Sequence, residues 1–267
     1  MKKKTSILKP LMPILAAAYG FALIYLTALP LNGGTQTFAS DLLSCLITLI
    51  FIGLTLFLVN HVVPKLFTSA RQFSLKMPKW PIIIGLLTIA PLWLVAEGYL
   101  VYGLTLLFHT VQLETLTYTT SELREDLIAS IHAVLLAPVL EELCFRQMAI
   151  SPFRRRGVQV AVCVMMAVLF GILHVRNFPG AFLSAMVYGV VFIWSRNIWC
   201  GVALHAGHNL TAMLLALYCW LGLGDMQMAK TPVIFLTDTP VIVGSIVLAI
   251  AGILVVSQRQ TNRIKEK

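Results

Sequence analysis

Eight apolar stretches, each about 20 residues long, alternate with short polar connections along this 267-residue chain. They fall near residues 11–29, 41–63, 81–108, 127–151, 158–175, 180–195, 198–221 and 239–257. A helix needs about 20 mostly apolar residues to cross the hydrocarbon layer of a bilayer. The pattern therefore predicts an all-α polytopic membrane protein of about eight transmembrane helices, with little chain left for a soluble domain. No repeat of fixed period, low-complexity tract or Gly/Ser linker interrupts it, so residues 1–267 read as a single integral membrane domain. Two connections stand out as hydrophilic. Residues 64–81, PKLFTSARQFSLKMPKWP, are basic and amphipathic, and are expected to lie along the membrane surface with their apolar side chains in the interface. Residues 120–126, TSELRED, place Ser121 and three acids ahead of the fourth span, where open backbone N–H groups favour an oxygen cap and negative charge.

Composition agrees with the pattern: 58% of residues are hydrophobic and 12% charged, and the mean hydropathy is +0.87. The net charge of +9 would suggest nucleic acid in a soluble protein; here its placement along the chain argues for topology instead. With the N-terminus inside, the inside segments hold Lys2, Lys3, Lys4, Lys9, Lys65, Arg71, Lys76, Lys79, Arg154, Arg155, Arg156, Arg196, Arg259, Arg263, Lys265 and Lys267. The outside connections hold Arg124, Arg176 and Lys230, and Arg146 lies within the fourth span. Eight spans with both termini cytoplasmic thus satisfy the positive-inside bias at every inside connection, and a bacterial cell membrane is the expected location. The basic start and the run around Ala16, Ala17 and Ala18 resemble a signal peptide, but apolar character continues to Leu29 and suits a first span. The five cysteines, Cys45, Cys144, Cys163, Cys200 and Cys219, are scattered singly through apolar spans and read as small apolar filler.

Charge inside a bilayer costs about 2.5 to 3.5 kcal/mol per residue on insertion scales, so each polar residue in a span needs a reason. These are Glu97, Glu141, Glu142, Arg146, His174, His205, His208 and Asn209. Residues four apart share a helix face. Glu142 and Arg146 can therefore pair as a structural brace, while Glu141, turned about 100° away, must face something else. Phe170 and His174 share a face by the same rule, as do His205 and Asn209. The midpoint of Glu141 and His174 falls between Gly157 and Val158, at the Arg-rich turn, so unbroken antiparallel helices would hold the two residues level. His205 lies about eight residues, roughly 12 Å, into the seventh span. A carboxylate near a neutral imidazole in a dry cavity can activate water, and His205 with Asn209 could stabilise the oxyanion that follows attack on a carbonyl. Peptide hydrolysis is the chemistry these groups suggest.

Glu97 has no local partner in its span. Pairing with Arg146, a protonated state and a position lining a substrate entry are its readings, in that order. His208 reads as an interhelical donor or supporting group. His61, His109 and His132 sit near span ends, where an amphipathic ring is unremarkable, and Trp80 and Trp199 suit a membrane interface.

EELCFR (EExxxR), FGILH (FxxxH) and HAGHN (HxxxN), in this order and on separate helices over about residues 120–220, resemble the CAAX protease and bacteriocin-processing family of intramembrane endopeptidases, and in particular the type II CAAX prenyl endopeptidases. The resemblance implies that Glu141 is the general base, that His174 helps activate water, and that His205 and Asn209 form the oxyanion site, with Glu142 and Arg146 supporting them. It implies a membrane-bound protein or peptide substrate, prenylated or not. No metal is expected to be required. A zinc ion held by Glu141, His174 and His205 is the alternative, although no HExxH motif is present. Two rival readings are a proton-coupled transporter using Glu97, Glu141, His174 and His205 as a relay, and a non-catalytic bacteriocin-immunity protein. The first predicts paired broken helices and repeat symmetry, which the sequence does not display.

Overall fold

The structure, a computed structural model, describes residues 2–28, 38–107, 113–116, 130–174, 177–223, 226–229, 233–236 and 242–251. The cap expected at 120–126 lies outside them, as does the basic C-terminal tail. Helix α1 spans Lys2–Ala28. Helix α2, Phe38–Phe57, runs on through a π turn, Leu58–Val62, and an α turn, Val63–Leu66. Helix α3 is Trp80–Leu106. Helix α4 is a composite, helical without a break from 130 to 150 but built from the π segment His132–Leu136, the α segment Ala137–Glu142 and a second π segment, Leu143–Met148. Helices α5, Arg156–Leu173, α6, Phe178–Ser195, α7, Ile198–Trp220, and α8, Ile242–Ala251, complete the set.

Among the described residues, six helices are long and apolar enough to cross a membrane, and each lies where the hydropathy pattern places a span. The fourth expected span is α4, which carries three charged residues, and the eighth is represented by the shorter apolar α8. The helical membrane architecture therefore stands. One addition was not foreseen, a small antiparallel sheet in the order β1 (Leu113–Leu116), β2 (Met226–Ala229), β3 (Val233–Leu236). Four-residue runs such as LETL are too short for alternation to announce a strand.

The chain gathers into two compact units, Met1–Lys76 with Ile128–Val202, and Met77–Leu127 with Ala203–Lys267. In the first, the core is built around α4, whose Leu143, Cys144, Phe145, Ala149 and Ile150 are all buried. Gly20 of α1 lets that helix close on Cys144 and Phe145, since a Cβ there would lie 3.1 Å from the phenyl ring. Helices α1 and α2 are joined by Ser44 Oγ donating to Thr27 O (2.6 Å) and by Tyr19 and Thr55 (3.0 Å), polar contacts of the kind that hold spans together where lipid supplies no hydrophobic drive. Small residues do the same for α5 and α6: Gly189 faces the thiol of Cys163 with no room for a side chain.

Two of the three π segments have a visible cause. Pro64 and Pro138 each stand two residues after a π turn ends. A proline has no N–H to offer the carbonyl four residues back and its ring crowds that carbonyl, and widening the preceding turn relieves both problems without ending the helix. The third segment, Leu143–Met148, contains no proline. Pro152 lies beyond the end of α4, in the turn, and does not kink it.

The 64–76 segment packs against protein on part of its apolar side. Its Phe67 and Ala70 pack with Met12 and Val63, and Phe73 stacks on Phe192 at 4.7 Å. Phe67, Ala70 and Phe73 of this amphipathic stretch are thus covered by protein, while Leu66 stays exposed. Its backbone is clamped to the α6–α7 connection by Ser74 N to Arg196 O (2.7 Å), Ile198 N to Ser74 O (3.2 Å) and Asn197 Nδ2 to Lys76 O (3.0 Å). Trp199, expected in the membrane interface, donates its indole N–H to Leu75 O at 2.8 Å. Arg196 ends α6 in the left-handed region, φ +52°, an unusual conformation for a side chain of this size, and Asn197 Oδ1 then caps Trp199 N at 3.0 Å to begin α7. Arg154 Nη2 reaches Thr68 Oγ1 at 2.9 Å from the α4–α5 connection. Three connections that must share a membrane face in an eight-span alternation do meet at one end of this unit.

In the second unit α3 packs on α7. Gly207 meets Ala90 and Leu87, with no space for a Cβ (2.8 Å to Ala90 Cβ), and Leu215 with Cys219 clusters with Leu94 and Val95. Residue numbers rise together along both helices, as they must for a third and a seventh span.

Candidate active site

The first unit contains the fourth- and fifth-span residues. Glu142, fully buried, holds Oε1 3.1 Å from Nη1 of Arg146, itself 2% exposed. The second amino group of Arg146, Nη2, donates to Ala185 O at 3.0 Å. The guanidinium lies over the rings of Phe170 (5.2 Å) and Tyr188 (5.8 Å), so aromatic faces replace the water lost on burial. The i,i+4 brace read from the spacing is present. Its acid is also confined from the α7 side, because a Cβ on Gly201 would stand 2.7 Å from Glu142 Oε2.

Glu141, one residue earlier and about 100° around the helix, is buried at 8% exposure among the residues of α4. His174 follows the last residue of α5. Its Nδ1 lies 2.9 Å from Phe170 O, and a carbonyl can only accept, so Nδ1 carries the proton. In the neutral ring Nε2 is then left with its lone pair. The imidazole also stacks on Phe170, ring centres 4.4 Å apart. Phe170 in turn meets Phe145 edge-on at 5.6 Å. This last contact bears on register. The connection between α4 and α5 is residues 151–155, earlier than the expected centre at Gly157, because Pro152 stops α4 and α5 has already begun at Arg156. Yet Phe145 and Phe170 have the same sequence midpoint as Glu141 and His174, which lie one turn farther from the connection on each segment.

The second unit contains the rest. His205 is buried, and it and Asn209 are one turn apart on α7. Between them in the sequence, His208 points to α3, with Nε2 3.5 Å from Oε2 of Glu97. Within its own unit the carboxylate of Glu97 faces His208, while Arg146 pairs with Glu142 in the other. His208 is the interhelical partner its position suggested. Within each unit, no group of three or more His, Cys, Asp or Glu among the described residues is gathered closely enough to hold a metal ion.

Sequence reasoning missed one further polar contact in a span. His132 Nε2 lies 2.8 Å from Thr48 Oγ1, whose proton goes to Ser44 O (2.8 Å), so the ring N–H is the donor to the hydroxyl. The signal was a histidine at the start of α4 and a threonine inside α2, too common a pair to be informative alone.

Residues 123–211, a third of the chain and including all three motifs, match the family described as Rce1-like, Type II CAAX prenyl endopeptidase Rce1-like. No curated protein and no solved structure matches the chain.

Proposed function

We propose, from the premise that residues 123–211 belong to the Rce1-like family of type II CAAX prenyl endopeptidases, that this chain is an intramembrane endopeptidase acting on a membrane-associated or lipid-anchored protein or peptide. One family match that takes in EExxxR, FxxxH and HxxxN together carries the reading. Glu141 is the general base, and it accepts a proton from the attacking water. His174 orients that water through Nε2, a role supported by the fixed Nδ1–H to Phe170 O bond. His205 and Asn209 donate to the oxyanion. Glu142 and Arg146 neutralise each other and hold α4 in place beside Glu141. No metal is required in this scheme.

The test is cleavage of a membrane-anchored reporter peptide by the full chain in proteoliposomes. Loss of a positioned general base costs typically 10²- to 10⁴-fold in rate, so Glu141→Gln is expected to fall by that much while remaining folded. Normal cleavage by Glu141→Gln removes it as base. Activity that survives exhaustive chelation supports the metal-free scheme, and its loss with recovery on adding zinc replaces that scheme with a metallopeptidase. If the wild type cleaves nothing and Glu141→Gln abolishes proton-driven uptake, the transporter reading takes its place.

A further inference from the structure

Where the second span ends, residues 59–76 fold back against α4 around a half-open cavity of about 510 Å³. Its rim carries three exposed cations, Lys65, Arg71 and Lys76, with His61 beside them, and no carboxylate among the described residues lines it. Among the described residues none of the three cations has an ion-pair partner. Gln147 of α4, 2% exposed, also lines the cavity, and its side-chain oxygen has no hydrogen-bond partner. A buried carboxamide oxygen left unsatisfied is unfavourable, and a polar group entering the cavity can satisfy it. Its O and N can exchange places by a flip, so it can meet a phosphate oxygen or a hydroxyl.

We propose that this cavity binds the phosphate-bearing headgroup of an anionic phospholipid. Arg71 offers a planar fork of donors matched to phosphate, and Lys65 and Lys76 add point charges. Gln147 serves the polar remainder of the headgroup from the floor. The shared chemistry is a phosphate group, and three observations favour a lipid as its source. The cavity sits at the end of the span Ala39–Leu66, where headgroups lie. Exposed Phe57, Val62 and Leu66 lead from it along the same span, a track for acyl chains. Its volume falls in the range of small-molecule sites and exceeds what a bare phosphate ion fills. The proposal does not rest on the peptidase reading, since none of Glu141, His174, His205 or Asn209 lines the cavity.

The experiment uses the full chain in non-ionic detergent, titrated with short-chain phosphatidylglycerol, with phosphatidylcholine of the same chain length, and with inorganic phosphate. Native mass spectrometry reads retained lipid, and thermal melting confirms folding. One phosphatidylglycerol is expected to be retained in preference to phosphatidylcholine. Lys65→Glu with Arg71→Glu should weaken retention tenfold or more, and Gln147→Leu and Arg71→Lys should each weaken it by less. Equal retention of both lipids, or undiminished retention by the folded charge-reversed variant, overturns the proposal. Displacement of phosphatidylglycerol by inorganic phosphate at similar concentration overturns the lipid assignment and makes free phosphate the ligand.

Discussion

Glu142 and Glu97 are both carboxylates in membrane spans, and the protein answers them differently. Glu142 is closed by Arg146 one turn along the same helix, and two aromatic rings and a backbone carbonyl complete the guanidinium's surroundings. Glu97 finds His208 on another helix, at a longer 3.5 Å. The first pair is complete as soon as α4 is helical, so α4 can enter the membrane already neutralised. The second exists only after α3 and α7 have packed, and it therefore reports on assembly.

The largest expected effect breaks the first pair from one side. Arg146→Met leaves Glu142 buried without its counter-charge, which costs about 3–5 kcal/mol, enough to remove most folded protein from a membrane extract followed by thermal melting. The double variant Glu142→Gln with Arg146→Met should recover a large part of that loss. A single variant as stable as wild type would show that the brace is not holding α4. Next comes Gly201→Ala, which drives a methyl group to within 2.7 Å of the buried Glu142 Oε2; overpacking of this kind costs about 1–3 kcal/mol, and melting of the purified protein would register it. A wild-type melting curve for Gly201→Ala would mean the acid has room to move, contrary to its burial. The smallest effect is expected at the other pair. Glu97→Gln keeps a hydrogen-bonding group toward His208 and should cost about 1 kcal/mol. A double-mutant cycle with His208→Ala reads the coupling. Coupling as large as that of Glu142 with Arg146 would erase the distinction drawn between them.

What could be read from the sequence follows the same division. Spans were legible because hydropathy over about 20 residues is a property of one segment, and the Glu142–Arg146 brace was legible because i,i+4 spacing is local. The partner of Glu97 was not, since nothing in either helix specifies which polar residue of another will meet it. The protein contacts of the 64–76 segment were illegible for a related reason. An amphipathic pattern requires an apolar surface to cover, and Phe67 and Phe73 show that protein can supply it as well as lipid. Of the candidate site, the sequence located the motif residues, but the tautomer of His174 needed the 2.9 Å contact to Phe170 O, which no spacing rule contains.

The π turns have a consequence for phase. Each α-helical residue advances its side chain by about 100°, so a widened turn resets which way every later residue of α4 points. The segment His132–Leu136 stands upstream of Glu141, Glu142 and Arg146, and works as an angular offset inserted before them. Replacing the Pro138 that sustains it, so that this turn relaxes to α geometry with no residue removed, would leave a helix of the same residue count and nearly the same sequence. Its motif would face a different neighbour.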